Sequence, residues 1–128
     1  MNWNKDTFIK EFIYLLEIEG ASENASNIKQ RYQALSKAIM ADIYADWNKS
    51  KTARKKRCGY FSAEFLIGRM IFSNLLNLGI LEEVKEALFS RGIDWSMLEE
   101  VEDVALGNGG LDRLAAFFLE SAATKGIP

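Results

Sequence analysis

Leu106-Gly-Asn-Gly-Gly-Leu-Asp-Arg-Leu-Ala-Ala-Phe-Phe-Leu-Glu-Ser-Ala-Ala-Thr-Lys-Gly-Ile127 is the stretch on which the reading of this chain turns. Three glycines and one asparagine fall between Gly107 and Gly110, and a helix-forming run starts directly after them. Glycine lets a backbone pass close to another group, and a helix N-terminus offers unpaired N–H groups and a positive partial charge. A seat for an anionic or oxygen-rich ligand is therefore expected at this junction. The run Leu111 to Lys125 reads as the last helix, closed by Gly126-Ile127-Pro128. Leu111, Leu114, Ala115, Phe118 and Ala122 make one stripe along it, while Ala116, Phe117 and Leu119 face elsewhere. A helix apolar on most of its circumference needs cover on several sides.

Working outward, the 128 residues allow one domain with a single core. With 48% hydrophobic and 27% charged residues the chain is globular, not disordered. Sixteen basic and 18 acidic residues leave a net charge of −2, which gives no global pull toward nucleic acid or anionic membrane. Histidine does not occur, so Ser-His-Asp and Cys-His nucleophile systems and imidazole metal sites are excluded within the chain. The single Cys58 permits no internal disulfide and no CxxC pair. It is expected to be a half-buried strand residue, although Lys56 and Arg57 beside it would favour a thiolate. No apolar run has membrane-spanning length and no signal-peptide pattern opens the sequence, so a cytoplasmic location is the default expectation.

Hydrophobic spacing predicts a mainly α chain with one short strand. Asp6 is placed to cap a helix running to about Glu19, with Gly20 as its stop. After a polar turn at Ser22–Ser26, a long helix is predicted from about Asn24 to Asn48. Its stripe is Ile28, Tyr32, Leu35, Ile39, Ile43 and Trp47. Lys49 to Arg57 follows, with six basic residues among nine. A solvated loop is the preferred reading, ahead of an anion or nucleic-acid contact. Cys58-Gly-Tyr-Phe-Ser62 is the strand candidate. Further helices are predicted from about Arg69 to Leu78 and from Leu81 to Arg91, closed by Gly79 and Gly92. A short helix through Asp103 has Asp94 or Ser96 as its cap. One strand among six helices leaves hydrogen-bonding edges unpaired, which suggests a piece of a larger sheet protein or a chain that must associate.

Three segments together carry a resemblance. Tyr60-Phe-Ser-Ala-Glu-Phe-Leu-Ile-Gly-Arg69 and Leu98 to Thr124, preceded by Tyr32-Gln-Ala-Leu-Ser-Lys-Ala-Ile39, resemble in order and spacing the N-terminal part of the glycogen, starch and maltodextrin phosphorylases. The likeness covers roughly residues 22 to 128. It implies that residues 1–128 form a single segment, the N-terminal part of the first of two Rossmann-like domains that face a cleft in an α/β parent enzyme. The C-terminal cofactor domain is then absent from the chain. The implied activity is phosphorolysis of α-1,4-glucans to glucose 1-phosphate by a glycosyltransferase of carbohydrate metabolism. Its implied cofactor is pyridoxal phosphate, bound to a lysine beyond Pro128, whose phosphate takes part in proton transfer to the substrate phosphate. A homodimer is implied, with glucan and inorganic phosphate as its ligands, and no metal, nucleic acid or membrane. No complete catalytic set lies within these residues, so the chain alone is expected to be inactive.

The resemblance also implies local roles. The backbone N–H groups of Gly109 and Gly110 approach the phosphates at the catalytic centre, with Gly110 as a cofactor-binding residue. The N–H of Leu111 reaches toward bound glucose, Asn108 lines the same pocket, and Glu64 borders it as a hydrogen-bond acceptor. Asp112 stands where the family usually has glycine, and it is expected to point to solvent and complement the helix dipole. Arg69 and Arg113 are anion-ligand candidates, with salt bridges to nearby glutamates preferred. Trp47 and Trp95 are expected in the core in preference to stacking on sugars. Neither a basic-flanked phosphorylatable serine near the N-terminus nor a nucleotide-binding stretch after the long helix is evident, so control by phosphorylation or AMP has no support. The alternative function is a small helical interaction or self-associating module whose last helix and strand edge bind a partner.

Overall fold

The computed structural model describes residues 3–53, 56–68, 70–102, 104–107 and 109–127. Its contacts divide the chain into two compact units, Met1–Trp47 with Ile71–Val101, and Asn48–Met70 with Glu102–Pro128.

The first unit is helical. Helix α1 spans Lys5–Ile18, and its cap is Asn4 rather than Asp6: the Asn4 Oδ1 accepts the N–H of Thr7 at 2.9 Å. Asp6 instead adds negative charge to the first turn, where the helix dipole favours it. Gly20, at φ +70°, carries the chain away from the end of α1. Helix α2 spans Ile28–Thr52; it starts with the stripe at Ile28, later than the expected Asn24, and runs past the expected end at Asn48. Asn27 and Gln30 fix that start reciprocally, each side-chain oxygen accepting the other's backbone N–H at 2.9 and 3.0 Å. The predicted stripe is buried at Leu35 and Ile39 and fades to a 47% exposed Trp47. The core placement of Trp47 is thus corrected: its side chain stands edge-on to Tyr44 beyond the end of the packed stripe.

Helices α3 (Met70–Leu78) and α4 (Leu81–Phe89) bury Ile71, Leu75, Val84 and Leu88, with Leu78 half-buried beside them. Asp94, not Ser96, caps the turn that follows, accepting the Ser96 N–H at 2.9 Å. That turn is a 3-10 helix, Trp95–Glu100, shorter than expected; Asp103 lies outside the described residues. Fifteen buried apolar residues, from Phe8 to Leu98, form one continuous core within this unit, with Trp95 packed against its margin. Arg31 stitches the loop before α2, donating to the Ser26 hydroxyl and the Glu23 carbonyl at 2.8 and 3.0 Å.

The second unit holds the sheet. Strand β1 is Phe65–Gly68, and it pairs antiparallel with β2, Val104–Leu106. The expected strand at Cys58–Ser62 is therefore displaced along the chain, and that segment is irregular with Cys58 exposed. Its aromatic residues pack as side chains instead, Tyr60 edge-on to Phe65 with ring centres 6.2 Å apart. The register runs Phe65 to Leu106 and Leu66 to Ala105, then slips by one so that Gly68, at φ +84°, faces Val104. Such a bulge ends the pairing and turns the strand. Helix α5, Gly110–Thr124, packs on β1. The basic stretch after Trp47 is partly helical, since α2 continues to Thr52. Arg57 folds back there to donate to the Ser50 carbonyl, and residues 54–55 lie outside the described residues.

Candidate functional site

The strand-to-helix junction Leu106–Gly110 is built around one carboxylate. Gly107 leaves β2 at φ +90°, a left-handed conformation that side chains rarely adopt. A Cβ added there would lie 2.5, 2.8 and 2.9 Å from Cγ, Cβ and Cδ of Glu64. A Cβ on Gly109 would lie 2.9 Å from Glu64 Oε2. Glu64, Gly107 and Gly109, over forty positions apart in sequence, are brought together because β1 and β2 pair next to both sides. Gly110 differs: a Cβ there would meet nothing within 4 Å. The glycine run therefore serves two purposes. Gly107 and Gly109 make room for Glu64, and Gly110 keeps an open face where α5 begins.

Glu64 is itself held at the backbone. The Ser62 hydroxyl donates to the Glu64 carbonyl at 2.8 Å, and the Glu64 N–H donates to the Ser62 oxygen at 3.2 Å. Its side chain ends in a solvent-inaccessible Oε2 that has no donor among the described residues. A buried acceptor left without a donor costs about 1–3 kcal/mol; Trp3 Nε1 and Trp95 Nε1 are likewise unpaired among the described residues, but Glu64 Oε2 is the one that abuts the glycines. Ser62 was not singled out by the sequence reading. Its signal was a serine two residues before a carboxylate at the entry to a strand.

Helix α5 begins without a side-chain cap, because Gly109 is its N-cap residue and extends at φ −122°. Leu111 is 65% exposed. Asp112 overturns its expectation of a solvent-facing carboxylate: it is 5% exposed, on the same face as the buried Ala115 and Ala116. Spacing of three and four residues puts those three side chains on the side of α5 that meets β1. Asp112 Oδ1 accepts the Arg113 N–H at 2.5 Å. The Arg113 guanidinium lies 4.8 Å from the centre of the Phe117 ring, a cation–π contact, and among the described residues it makes no salt bridge of the kind expected. Asn108 and Arg69 lie outside the described residues.

The C-terminal half of α5 and the irregular segment before β1 border an apolar groove of 560 Å³, lined by Cys58, Tyr60, Phe118, Leu119, Ala122 and Ile127 among others. Tyr60 leans on Phe118 with ring centres 5.5 Å apart. No helix among the described residues is long and apolar enough to cross a membrane. Among them, no group of three or more His, Cys, Asp or Glu could hold a metal.

A family model described as carbohydrate phosphorylase matches residues 88–128, the span that holds β2, the glycine junction and α5. The chain is also 46% identical over 109 residues to a glycogen phosphorylase of Chlamydia trachomatis, a match that covers 81% of the chain.

This chain belongs to the carbohydrate phosphorylase family.

It is also similar to two further relatives. A glycogen phosphorylase of Bacillus subtilis is 37% identical over 131 residues, covering 98% of the chain. A maltodextrin phosphorylase of Streptococcus pneumoniae is 53% identical over 74 residues, covering 57%. The chain spans 13%, 16% and 10% of the length of these three phosphorylases.

Proposed function

We propose that this chain forms the N-terminal part of an enzyme that phosphorolyses α-1,4-glucans to glucose 1-phosphate, and that its Glu64–glycine junction is one wall of the reaction site. The observation that carries this reading is the buried Oε2 of Glu64, lacking a donor among the described residues, held against Gly107 and Gly109 at the foot of α5. An ionised carboxylate only accepts hydrogen bonds, so a sugar hydroxyl is the matching group. The first N–H groups of α5, on Gly110 and Leu111, donate instead, and they suit a phosphate. An acceptor and a row of donors side by side fit a sugar and an anion meeting at one place. The resemblance assigns Asn108 to the same pocket; it lies outside the described residues.

The residues of this chain also fit one face of pyridoxal phosphate. Gly110 would face the cofactor's phosphate, since nothing lies within 4 Å of where its Cβ would stand. When bound, that cofactor supplies a phosphate group for proton transfer. The chain's own part is to bind and orient: backbone donors hold the anion, and Glu64 fixes the sugar. Positioning and preorganised electrostatics need the facing wall too, so the chain alone is inactive. The parent enzyme is an α/β homodimer with two Rossmann-like domains that works in the cytoplasm.

The test is a chimera in which these residues replace the matching segment of the Bacillus subtilis glycogen phosphorylase. The expected result is a chimera that takes up pyridoxal phosphate and releases glucose 1-phosphate from maltodextrin and phosphate. Glu64→Gln, which turns an acceptor oxygen into a donor, is expected to lower kcat/KM about a hundredfold. A folded, cofactor-loaded chimera without turnover, or one indifferent to Glu64→Gln, overturns the reading. The apolar groove beside α5 favours a second reading, an association module, which predicts complex formation without turnover.

A further inference from the structure

Asp112 is the one charged residue that is buried among the described residues, and it sits in the first turn of α5, three residues after the N-cap Gly109. Helix geometry places its carboxylate within about 8 Å of any group held by the N–H groups of Gly110 and Leu111. No ion pair to Asp112 occurs among the described residues. The adjacent cation, Arg113, is turned onto the Phe117 ring. The Asp112 carboxylate thus lies in the first turn of the helix, at its positive end, with no cationic partner among the described residues, and it takes the Arg113 N–H at 2.5 Å.

We propose that buried Asp112 acts as an internal counter-anion that weakens phosphate binding at the glycine junction and biases that seat toward sugar hydroxyls. The proposal rests on the reading of the junction as a phosphate and glucose wall. Two physical effects act in the same direction. The carboxylate offsets the partial positive charge of the helix end that would otherwise attract an anion. It also repels a phosphate dianion through a medium in which burial limits screening. Glu64 adds a second carboxylate on the other side of the loop, but its oxygen is an acceptor suited to a hydroxyl, with which repulsion plays no part. Asp112 is a positioning residue for charge, not a group that touches the reacting atoms.

The experiment uses the chimera defined above, with phosphate affinity read in two ways. Isothermal titration with inorganic phosphate alone gives Kd without turnover, and steady-state kinetics give KM for phosphate and for maltodextrin separately. Asp112→Asn is expected to lower both phosphate values about three- to tenfold and to leave the maltodextrin KM unchanged. Asp112→Ser, which keeps a first-turn acceptor without the charge, is expected to do the same, so poor folding of one variant does not decide the matter. Unchanged phosphate Kd in both variants of an active chimera overturns the Asp112 role alone. A loaded but inactive chimera removes the phosphate seat itself, and this inference with it.

Discussion

The two units of this chain are stabilised in different ways. In Met1–Trp47 with Ile71–Val101, fifteen apolar residues form a continuous core, and Leu16, Leu35 and Leu75 are fully enclosed. In Asn48–Met70 with Glu102–Pro128, the buried side chains of α5 are two alanines and an aspartate, while Phe117, Phe118 and Leu119 are each near half exposed. The first unit is made of contacts it supplies itself. The second presents a short sheet, an apolar helix and the one carboxylate–glycine cluster. The proposed site thus falls where self-sufficient packing is weakest, as expected if more polypeptide completes it.

The largest effect that would break this contrast is a core truncation. Leu75→Ala, at a position with 0% exposure, is expected to cost about 3–5 kcal/mol in urea unfolding. Phe61→Ala, in the second unit and 93% exposed, is expected to change stability by less than about 0.5 kcal/mol. Comparable losses would mean that the units share one packing regime. Next in size is Gly107→Ala. Its left-handed φ and the overlap with Glu64 are expected to cost about 1–3 kcal/mol, seen as faster amide exchange along α5. Adding Glu64→Ala removes Cγ and Cδ, so the double variant is expected to recover about 1 kcal/mol. Strictly additive losses would show that the backbone angle alone demands glycine there.

Smaller effects sharpen the picture of the first unit. Asn4→Ala removes the α1 cap and is expected to cost about 1 kcal/mol in the same unfolding experiment. Hydrogen bonds from the Ser96 backbone and side chain hold the Asp94 carboxyl below its ordinary value of 3.8. A folded-state pKa below the unfolded one gives stability that is present above the unfolded value and lost as pH falls through the folded one. Asp94→Ala is therefore expected to flatten the acid limb of the stability curve below about pH 4. Asp42 has the opposite sign: partial desolvation of this largely exposed carboxyl, then the charge of Glu11, raise it above 3.8. Its contribution is present below that value and lost as pH rises through the folded pKa, so Asp42→Asn is expected to stabilise the chain slightly at neutral pH. An unaltered acid limb in Asp94→Ala, or destabilisation by Asp42→Asn, contradicts these assignments.

Much of the helical unit was legible in the sequence because its helices carry clear apolar stripes bounded by Gly20, Gly79 and Gly92. Each of these has φ near +70°. The sheet was less legible. Aromatic density drew the strand to Cys58–Ser62, whereas pairing with Val104–Leu106 selected Phe65–Gly68. A three-residue partner leaves too little alternation to be recognised from sequence. At the site, the glycine run indicated close backbone approach, but not that a side chain of the same chain fills the space at Gly107 and Gly109. Asp112 was misplaced because an acidic residue in a first turn is usually solvated. Its position three and four residues before Ala115 and Ala116 put it on the packed face.

The most direct test of the account is to assay the chain with a separately produced remainder of a maltodextrin phosphorylase, supplying pyridoxal phosphate, phosphate and maltodextrin. The account predicts no glucose 1-phosphate from the chain by itself and turnover when the two polypeptides are combined. Turnover by the 128 residues alone, or a stable complex of the two that forms no glucose 1-phosphate, would contradict it.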